Sequence, residues 1–374
     1  MRGRWRKAFP ALAYLACLPL AEAGAQDACP AVDPPLTLGV NRTNLMWETD
    51  SADILAGIAG AGIGHVRLSF SQPYENVVRT IREAREHGLG VLLAIGMGQN
   101  SFRPQGLERR PGGFGLHSAH RLSTLDPTLF RRVVGGFLAR LDAEGLVLDA
   151  IELGNEENWS DFNGDLPIGP KGEGRFYESR ADLAADPDAA NVLEGFRRYG
   201  EAVGIARDLV RESRLQQDAT IVSSGLFTAS REWTGRSGGA ALSYSLATEL
   251  LRENGVFAKV DAVGVHLYPG VPEQPSRRMA SFMRQIGEVT GECRAGGGKT
   301  CWLTEWGFPK EGDACTLTDE DRLRLFRDFR RSVACLSDRV EIGAAYLYDW
   351  DDSRSFSIHR CGRNLPSAEF FAAD

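Results

Sequence analysis

Short apolar runs alternate with longer amphipathic or charged stretches along most of the chain. The apolar runs predict strands at residues 36–41, 65–70, 90–95, 148–154, 220–224, 260–268, 300–305 and 342–348. The stretches between them predict helices at residues 52–61, 74–87, 127–144, 192–212, 240–254, 277–291 and 318–336, with a short eighth helix over 365–373. Strands that alternate with helices in this way indicate an α/β protein with a parallel sheet.

Eight consecutive strand–helix units are the number found in a (β/α)8 TIM barrel. A doubly wound sheet is the alternative, but no G-x-G-x-x-G turn follows a predicted strand; the glycines at 112, 113 and 115 lie inside a loop. The chain is predicted to form one barrel domain over residues 26–374. Two long segments, 96–125 and 160–188, should rise from the carboxyl end of the barrel and wall a cleft.

Two of the predicted strands end in a glutamate, and these glutamates are the candidate catalytic residues. Strand four ends in Asn155-Glu156, and strand seven ends in Glu305. In an eight-stranded barrel both ends lie at the same mouth, roughly across from each other. A pair of carboxyl groups about 5–5.5 Å apart suits a retaining glycosidase. Either glutamate alone would most often be a solvated strand end, so the pair carries the prediction.

Strands six and two supply hydrogen-bond donors for such a pair. His266 and Tyr268 share one face of strand six because side chains repeat every two residues. Arg67 on strand two could hold Glu305 ionised, or it could form a buried ion pair away from any substrate. A histidine in a strand is also commonly structural. Glu152 lies two residues deeper than Glu156 and is interpreted as bonding within the barrel.

The motifs at strands four, six and seven resemble glycoside hydrolase clan A, the retaining (β/α)8 glycosidases, in the manner of families thirty-nine and five. The matching stretches are 152–156 and 303–307. The resemblance implies Glu156 as general acid/base, Glu305 as nucleophile and Asn155 as the residue that binds the sugar 2-hydroxyl. It implies that Tyr268 donates to the nucleophile, and it identifies His266 and Arg67 with the clan's strand-six histidine and strand-two arginine.

Several residues depart from the clan's pattern. Glu157 stands where proline often follows the acid/base, and it would raise the pKa of Glu156 if the two were close. Gly154 replaces a residue that is often bulky. Trp306 and Trp350 are expected to contact the sugar, with Trp350 preferred as its platform. Trp159 and Tyr348 would also suit stacking on a sugar ring.

The amino terminus has the pattern of a signal peptide over residues 1–25. A basic segment precedes an apolar run from Ala8 to Leu20, which is too short to span a bilayer, and Ala23-Gly24-Ala25 is a suitable cleavage site. A lipoprotein anchored at Cys17 is the weaker alternative. The remaining chain contains no apolar stretch of transmembrane length. These features predict a secreted or periplasmic protein that leaves the membrane after cleavage, and it is expected to be a monomer.

The formal net charge of −7 becomes −10 once four basic residues and one acidic residue leave with the signal peptide. An acidic body repels polyanions, so nucleic acid is not an expected partner. Carbohydrate is the expected substrate.

Six of the seven cysteines remain after cleavage, an even number that favours disulfides in an oxidising compartment. Unpaired buried cysteines are the alternative. Cys315 is expected to pair with Cys361 in adjacent loops, and Cys293 with Cys301 across a short Gly-rich loop. Cys29 is then left for Cys335.

Two other functions compete with a glycosidase. A catalytically inactive barrel could bind a surface polysaccharide through the same aromatic residues. A metal-dependent hydrolase would require several histidines at strand ends, and the chain has only six, with no C-x-x-C or H-x-x-x-H spacing. Neither a metal nor a cofactor is therefore expected. The identity of the sugar, its linkage and the endo or exo mode of cleavage stay open.

Overall fold

The structure is a computed structural model that describes residues 36–113, 116–295, 297, 299–313, 315–337 and 340–372. The predicted signal peptide and Cys29 lie outside these residues. No helix in the described part of the chain combines the length and hydrophobicity needed to cross a membrane.

Eight parallel strands close into a barrel, as the sequence predicts. Strand order follows the chain, each strand pairs with its neighbours in parallel, and β8 pairs with β1 to complete the ring. The strands are β1 (Thr37–Asn41), β2 (His65–Ser69), β3 (Gly90–Ile95), β4 (Ala150–Leu153), β5 (Thr220–Ser223), β6 (Ala262–Leu267), β7 (Thr300–Trp306) and β8 (Ile342–Leu347).

Helices surround the barrel and cover its outer face. They are α1 (Ser51–Gly60), α2 (Tyr74–Glu86), α3 (Pro127–Glu144), α4 (Arg180–Ala185), α5 (Val192–Glu212), α6 (Arg231–Ser237), α7 (Tyr244–Glu253), α8 (Arg278–Ala295) and α9 (Glu320–Cys335). Their apolar faces and the outward faces of the strands form the main core. A smaller cluster of Leu92, Ala150, Val222, Ala262, Ala344 and Tyr346 fills the barrel interior. The fold is therefore a TIM barrel in a single domain.

Local sequence signals fix several helix ends. The Asp126 carboxylate accepts hydrogen bonds from Thr128 N (2.8 Å) and Leu129 N (3.0 Å), and Pro127 occupies the first turn of α3. Gly88 follows α2 with a φ of 73°, a left-handed conformation that glycine adopts without strain.

Two predicted helices are wrong in part. Residues 240–242 of the helix predicted at 240–254 form a short strand, Ala240–Leu242, which pairs with Arg175–Tyr177. These residues bond to the loop after β4, since Leu242 N donates to Asn158 O over 2.9 Å, so tertiary pairing overrides the helical pattern. The helix predicted at 365–373 is a single 3₁₀ segment, Pro366–Phe370.

Two predicted disulfides are confirmed. Cys293 is bonded to Cys301 and Cys315 to Cys361, with Cα–Cα distances of 5.8 Å and 5.4 Å. Cys335 is also disulfide-bonded. Its predicted partner, Cys29, lies outside the described residues.

Candidate active site

Polar side chains from six barrel strands or their ends converge at the carboxyl mouth of the barrel. The strand register places Glu305 beside His266 and Asn41 beside Arg67. A register shift between Leu303 and Glu305 marks a β-bulge in β7. Because of this bulge, the neighbouring residues Thr304 and Glu305 both bond with groups at the mouth.

Arg67 is the hub of the site and is only 1% exposed. Its Nε donates to Glu152 Oε2 over 2.6 Å, and its Nη1 donates to Glu305 Oε1 over 2.7 Å. Nη1 also donates to Asn41 Oδ1 (2.9 Å), and Nη2 donates to Asn155 Oδ1 (2.8 Å). Arg67 therefore forms both the ion pair with the catalytic candidate and the buried ion pair that the sequence left as alternatives.

Glu305 accepts hydrogen bonds on both of its carboxylate oxygens. The Tyr268 hydroxyl donates to Oε2 over 2.6 Å, while Arg67 holds Oε1. Burial acts to raise the pKa of Glu305, but the charges of His266 and Arg67 together with these hydrogen bonds outweigh it and lower the pKa below its usual range. Glu305 is consequently held as a carboxylate.

Glu156 has the opposite electrostatic environment. Burial is the largest influence and raises the pKa of Glu156, and the nearby charge of Glu305 acts in the same direction against His266 and Arg67. Its Oε1 lies 2.7 Å from His266 Nδ1. The pKa of His266 is itself raised, because Glu305 and Glu156 outweigh the burial of the ring. The Glu156–His266 pair thus retains a proton at a pH where Glu305 is ionised.

The two glutamates are close enough to act on one atom. One carboxylate oxygen of Glu156, one of Glu305 and a ring nitrogen of His266 lie within 4.8 Å of one another. Carboxyl groups about 5–5.5 Å apart leave room for direct attack on a sugar carbon, whereas a wider pair is needed to admit a water.

The backbone at Glu156 is strained and held by its neighbours. Glu156 has a φ of 55°, a left-handed conformation that residues other than glycine rarely adopt. Its N–H donates to Gly225 O over 3.0 Å, and Gly225 N donates to Glu152 Oε1 over 2.9 Å. A Cβ at Gly225 would lie 2.2 Å from His266 Nε2, so only glycine fits there. This packing sets the direction in which the Glu156 side chain leaves β4.

Glu152 is fully buried and structural, as the sequence indicates. Besides its bond to Arg67, its Oε1 accepts from Thr304 Oγ1 over 2.8 Å. Asn41 completes this layer: its amide nitrogen donates to the carbonyl oxygens of Thr304 (3.1 Å) and Tyr346 (3.2 Å). Sequence reasoning missed Asn41 and Thr304, although Asn41 is a polar residue at the end of an apolar strand.

Glu157 faces neither Glu156 nor solvent. Its carboxyl group points back toward the backbone of the preceding residues. Oε1 accepts a hydrogen bond from Asn155 N over 2.9 Å, and Oε2 bonds with the Ser224 hydroxyl. Burial raises the pKa of Glu157, which favours its neutral form. Gly154 creates the space: its φ is 109°, and a Cβ there would lie 2.5 Å from Glu157 Oε2. The two departures at positions 154 and 157 therefore compensate each other.

Two predicted sugar contacts are wrong. Trp306 is 1% exposed and stacks on Phe329 with ring centroids 4.6 Å apart, in the layer between the barrel and α9. Trp350 is also 1% exposed and stacks on His359 at 4.8 Å. Strand alternation explains the first, because Glu305 faces the mouth and the next residue faces the helices.

Among the aromatic residues that the sequence suggests for stacking on a sugar ring, Tyr348 does lie at the mouth. Its ring meets the Tyr268 ring edge to face, with centroids 6.1 Å apart, and it is partly exposed. Burial, followed by the negative charge of Glu305, raises the pKa of Tyr348 and so keeps its hydroxyl neutral. Trp159 is buried in a cluster with Trp233 and Phe227.

The chain matches no protein-family model and no curated protein sequence. Solved structures do match its fold. The β-glycosidase BGL167 has a TM-score of 0.57 at 17% identity, with 91% of this chain and 96% of that chain covered. A family 1 β-glucosidase from Thermotoga maritima has a TM-score of 0.56 at 11% identity (91% and 97% covered), and a fungal β-1,4-galactanase has 0.53 at 12% (86% and 91%). This chain shares their barrel fold over most of its length.

Proposed function

We propose that this protein is a retaining glycoside hydrolase that cleaves β-glycosidic bonds of an oligosaccharide or polysaccharide by double displacement. The observation that carries the proposal is the pair Glu156 and Glu305, whose oxygens lie within 4.8 Å and whose pKa values are shifted in opposite directions. The shared barrel fold of glycosidases adds support.

In the first step, Glu156 protonates the leaving glycosidic oxygen while Glu305 attacks the anomeric carbon. The carbon–oxygen bond to the leaving group breaks and a glycosyl ester to Glu305 forms. In the second step, Glu156 accepts a proton from water, which attacks the same carbon and releases Glu305. Arg67 and Tyr268 keep Glu305 ionised and oriented before attack and stabilise it again as it leaves.

Asn155 is proposed to bind the sugar hydroxyl next to the anomeric carbon. Its Oδ1 accepts from Arg67 Nη2, so the amide nitrogen remains available as a donor to the substrate. His266 shares a proton with Glu156 and so helps to set the pH at which the acid is protonated. Tyr348 is the proposed aromatic platform in place of Trp350.

The purified protein should release reducing sugar from at least one member of a panel of β-linked polysaccharides and aryl β-glycosides. Binding to a glycan without turnover across the panel would instead support the inactive barrel. A secreted or periplasmic location and a monomeric state remain predictions; disulfides such as Cys293–Cys301 and Cys315–Cys361 are typical of an oxidising compartment.

Chelation should leave this activity unchanged. Glu156, His266 and Glu305 are close enough to hold a metal ion. However, Arg67 and Tyr268 already occupy both oxygens of Glu305, and the arginine charge would repel a cation. We expect equal rates before and after dialysis against EDTA. Loss of activity that added Zn²⁺ or Mn²⁺ restores would support a metal-dependent hydrolase.

Replacing Arg67 with methionine should shift the acidic limb of the pH–rate profile to higher pH. Arg67 lowers the pKa of Glu305, so the nucleophile of the variant should become protonated at a higher pH. The variant should also lose about 3–5 kcal/mol of stability, because Glu152 would remain buried without its partner.

A double variant separates these two effects. Arg67→Met with Glu152→Gln removes the unpaired carboxylate and should recover part of the stability measured by urea unfolding. The shifted acidic limb should persist, because Glu305 still lacks the charge of Arg67. An acidic limb at the wild-type position in both variants would contradict the role of Arg67 at the nucleophile.

A further inference from the structure

The loop between β3 and α3 carries an excess of positive charge. Residues 96–125 contain Arg103, Arg109, Arg110 and Arg121 but a single acidic residue, Glu108. Within the described part of the chain, none of these four arginines forms a salt bridge, although the protein as a whole is acidic. Such a local surplus attracts anions.

This loop encloses a cavity of about 380 Å³, here called the arginine pocket. Asn100 Oδ1 lies 2.5 Å from His120 Nε2 and accepts from Arg109 Nη2 over 3.3 Å. His120 is only 5% exposed, and its Nδ1 is buried without a hydrogen-bond partner among the described residues. The residues that line the pocket are Asn100, Arg103, Pro104, Gln105, Gly106, Leu107, Arg109 and His120.

Among the described residues, no carboxylate lines the pocket. Burial, followed by the charges of Arg103 and Arg109, lowers the pKa of His120 to about 4. Burial also lowers the pKa of Arg103 to about 10, and the charge of Asp165, which does not line the pocket, offsets only part of this. The backbone oxygens of Met97, Gln99 and Arg121 and the Thr124 hydroxyl accept hydrogen bonds from the Arg103 guanidinium. Arg109 is exposed, and among the described residues its one hydrogen bond is the long one to Asn100.

Hydrogen bonds connect the loop that carries the pocket to the segments that follow β2 and β4 at the carboxyl end of the barrel. Gln99 Nε2 donates to Phe70 O, immediately after β2, over 2.8 Å. His120 O accepts from Gly164 N over 2.8 Å, in the loop that follows β4. The adjacent Asn163 donates to Glu157 O over 2.9 Å, next to the proposed acid/base. The pocket therefore lies at the carboxyl end of the barrel, the end that also carries Glu156 and Glu305.

We propose that the arginine pocket binds an anionic substituent of a sugar unit, so that the substrate is an acidic polysaccharide. The assignment of the anion to a substrate rests on the proposed glycosidase function. A carboxylate or a sulfate group would accept hydrogen bonds from the Arg109 guanidinium, whose planar arrangement of donors suits both anions. Asn100 offers its amide to a neighbouring sugar hydroxyl.

Nuclear magnetic resonance of the His120 ring tests the pocket without requiring turnover. Sodium glucuronate and sodium sulfate are titrated separately at constant ionic strength, with glucose as the neutral probe. We expect a saturable shift of the His120 signals with one or both anions and none with glucose. The tighter of the two anions identifies a carboxylate or a sulfate group as the natural substituent.

Two variants complete the test. Arg109→Gln, at an exposed position, should weaken the binding of the anion about tenfold, because it removes the charged donor that pairs with the anion. Arg324→Gln, at an exposed position on α9, should leave it unchanged. No saturable shift with either anion, or equal affinities in Arg109→Gln and wild type, would overturn the proposal. Anion binding without hydrolysis of any glycan would instead count against the proposed function.

Discussion

Glutamine in place of Glu305 should lower kcat/KM by about 10⁴-fold or more on every substrate that the wild-type protein cleaves. The neutral amide cannot attack the anomeric carbon, and removal of a covalent nucleophile typically causes losses of this size. The shape of the side chain is retained, so Tyr268 and Arg67 keep partners and the variant should fold. Initial rates on an aryl β-glycoside and on the natural glycan measure the effect.

Glu157→Gln is the matched control for this variant. Glu157 is the buried glutamate that follows Glu156, and its raised pKa favours the neutral form. A neutral amide should therefore replace it, and the activity should stay within about threefold of wild type. In Glu305→Ala, sodium azide should restore turnover of an activated aryl β-glycoside and yield the α-glycosyl azide, because azide enters from the face that Glu305 vacates. Activity of Glu305→Gln near the wild-type level would rule it out as nucleophile.

Glutamine in place of Glu156 should have an effect that depends on the leaving group. For a sugar leaving group the loss should be about 10²–10⁴-fold, the usual contribution of general acid catalysis. A dinitrophenyl glycoside needs no proton on its leaving oxygen, so its first step should stay fast. Its second step lacks a base, and the glycosyl ester on Glu305 should accumulate as a burst of dinitrophenol.

Azide distinguishes the two roles. In Glu156→Ala it should speed the second step and give the β-glycosyl azide, the anomer opposite to that expected from Glu305→Ala. Mass spectrometry of the quenched protein should find the sugar on Glu305. Equal losses on sugar and dinitrophenyl leaving groups, with no burst, would contradict the assignment of Glu156 as acid/base.

Strand-end residues made most of this site predictable from the sequence. Asn155, Glu156, His266, Tyr268 and Glu305 each follow an apolar run, and parallel barrel strands bring such ends to one mouth. The two-residue period placed His266 and Tyr268 on one face, and both contact the glutamates. The count of eight strand–helix units likewise predicted the closed barrel.

The errors have different origins. The bulge in β7, which turns both Thr304 and Glu305 toward polar groups of the mouth, leaves no clear signal in a single sequence. The two-residue period counted from Glu305 does send Trp306 to the helix layer, so its prediction at the sugar overlooked a signal that the sequence contains. The sequence left open whether Glu157 lies close to Glu156, because the positive φ of Gly154, which makes room for the Glu157 carboxyl group, is visible only in three dimensions.

The stereochemistry of hydrolysis distinguishes double displacement through Glu305 from direct attack by water. Proton nuclear magnetic resonance can follow the anomeric signals in the first minutes of cleavage of a β-linked substrate, before mutarotation mixes them. The close pair of Glu156 and Glu305 predicts that the β anomer appears first and the α anomer only later. Initial release of the α anomer would mean that water attacks directly, and it would contradict Glu305 as a nucleophile.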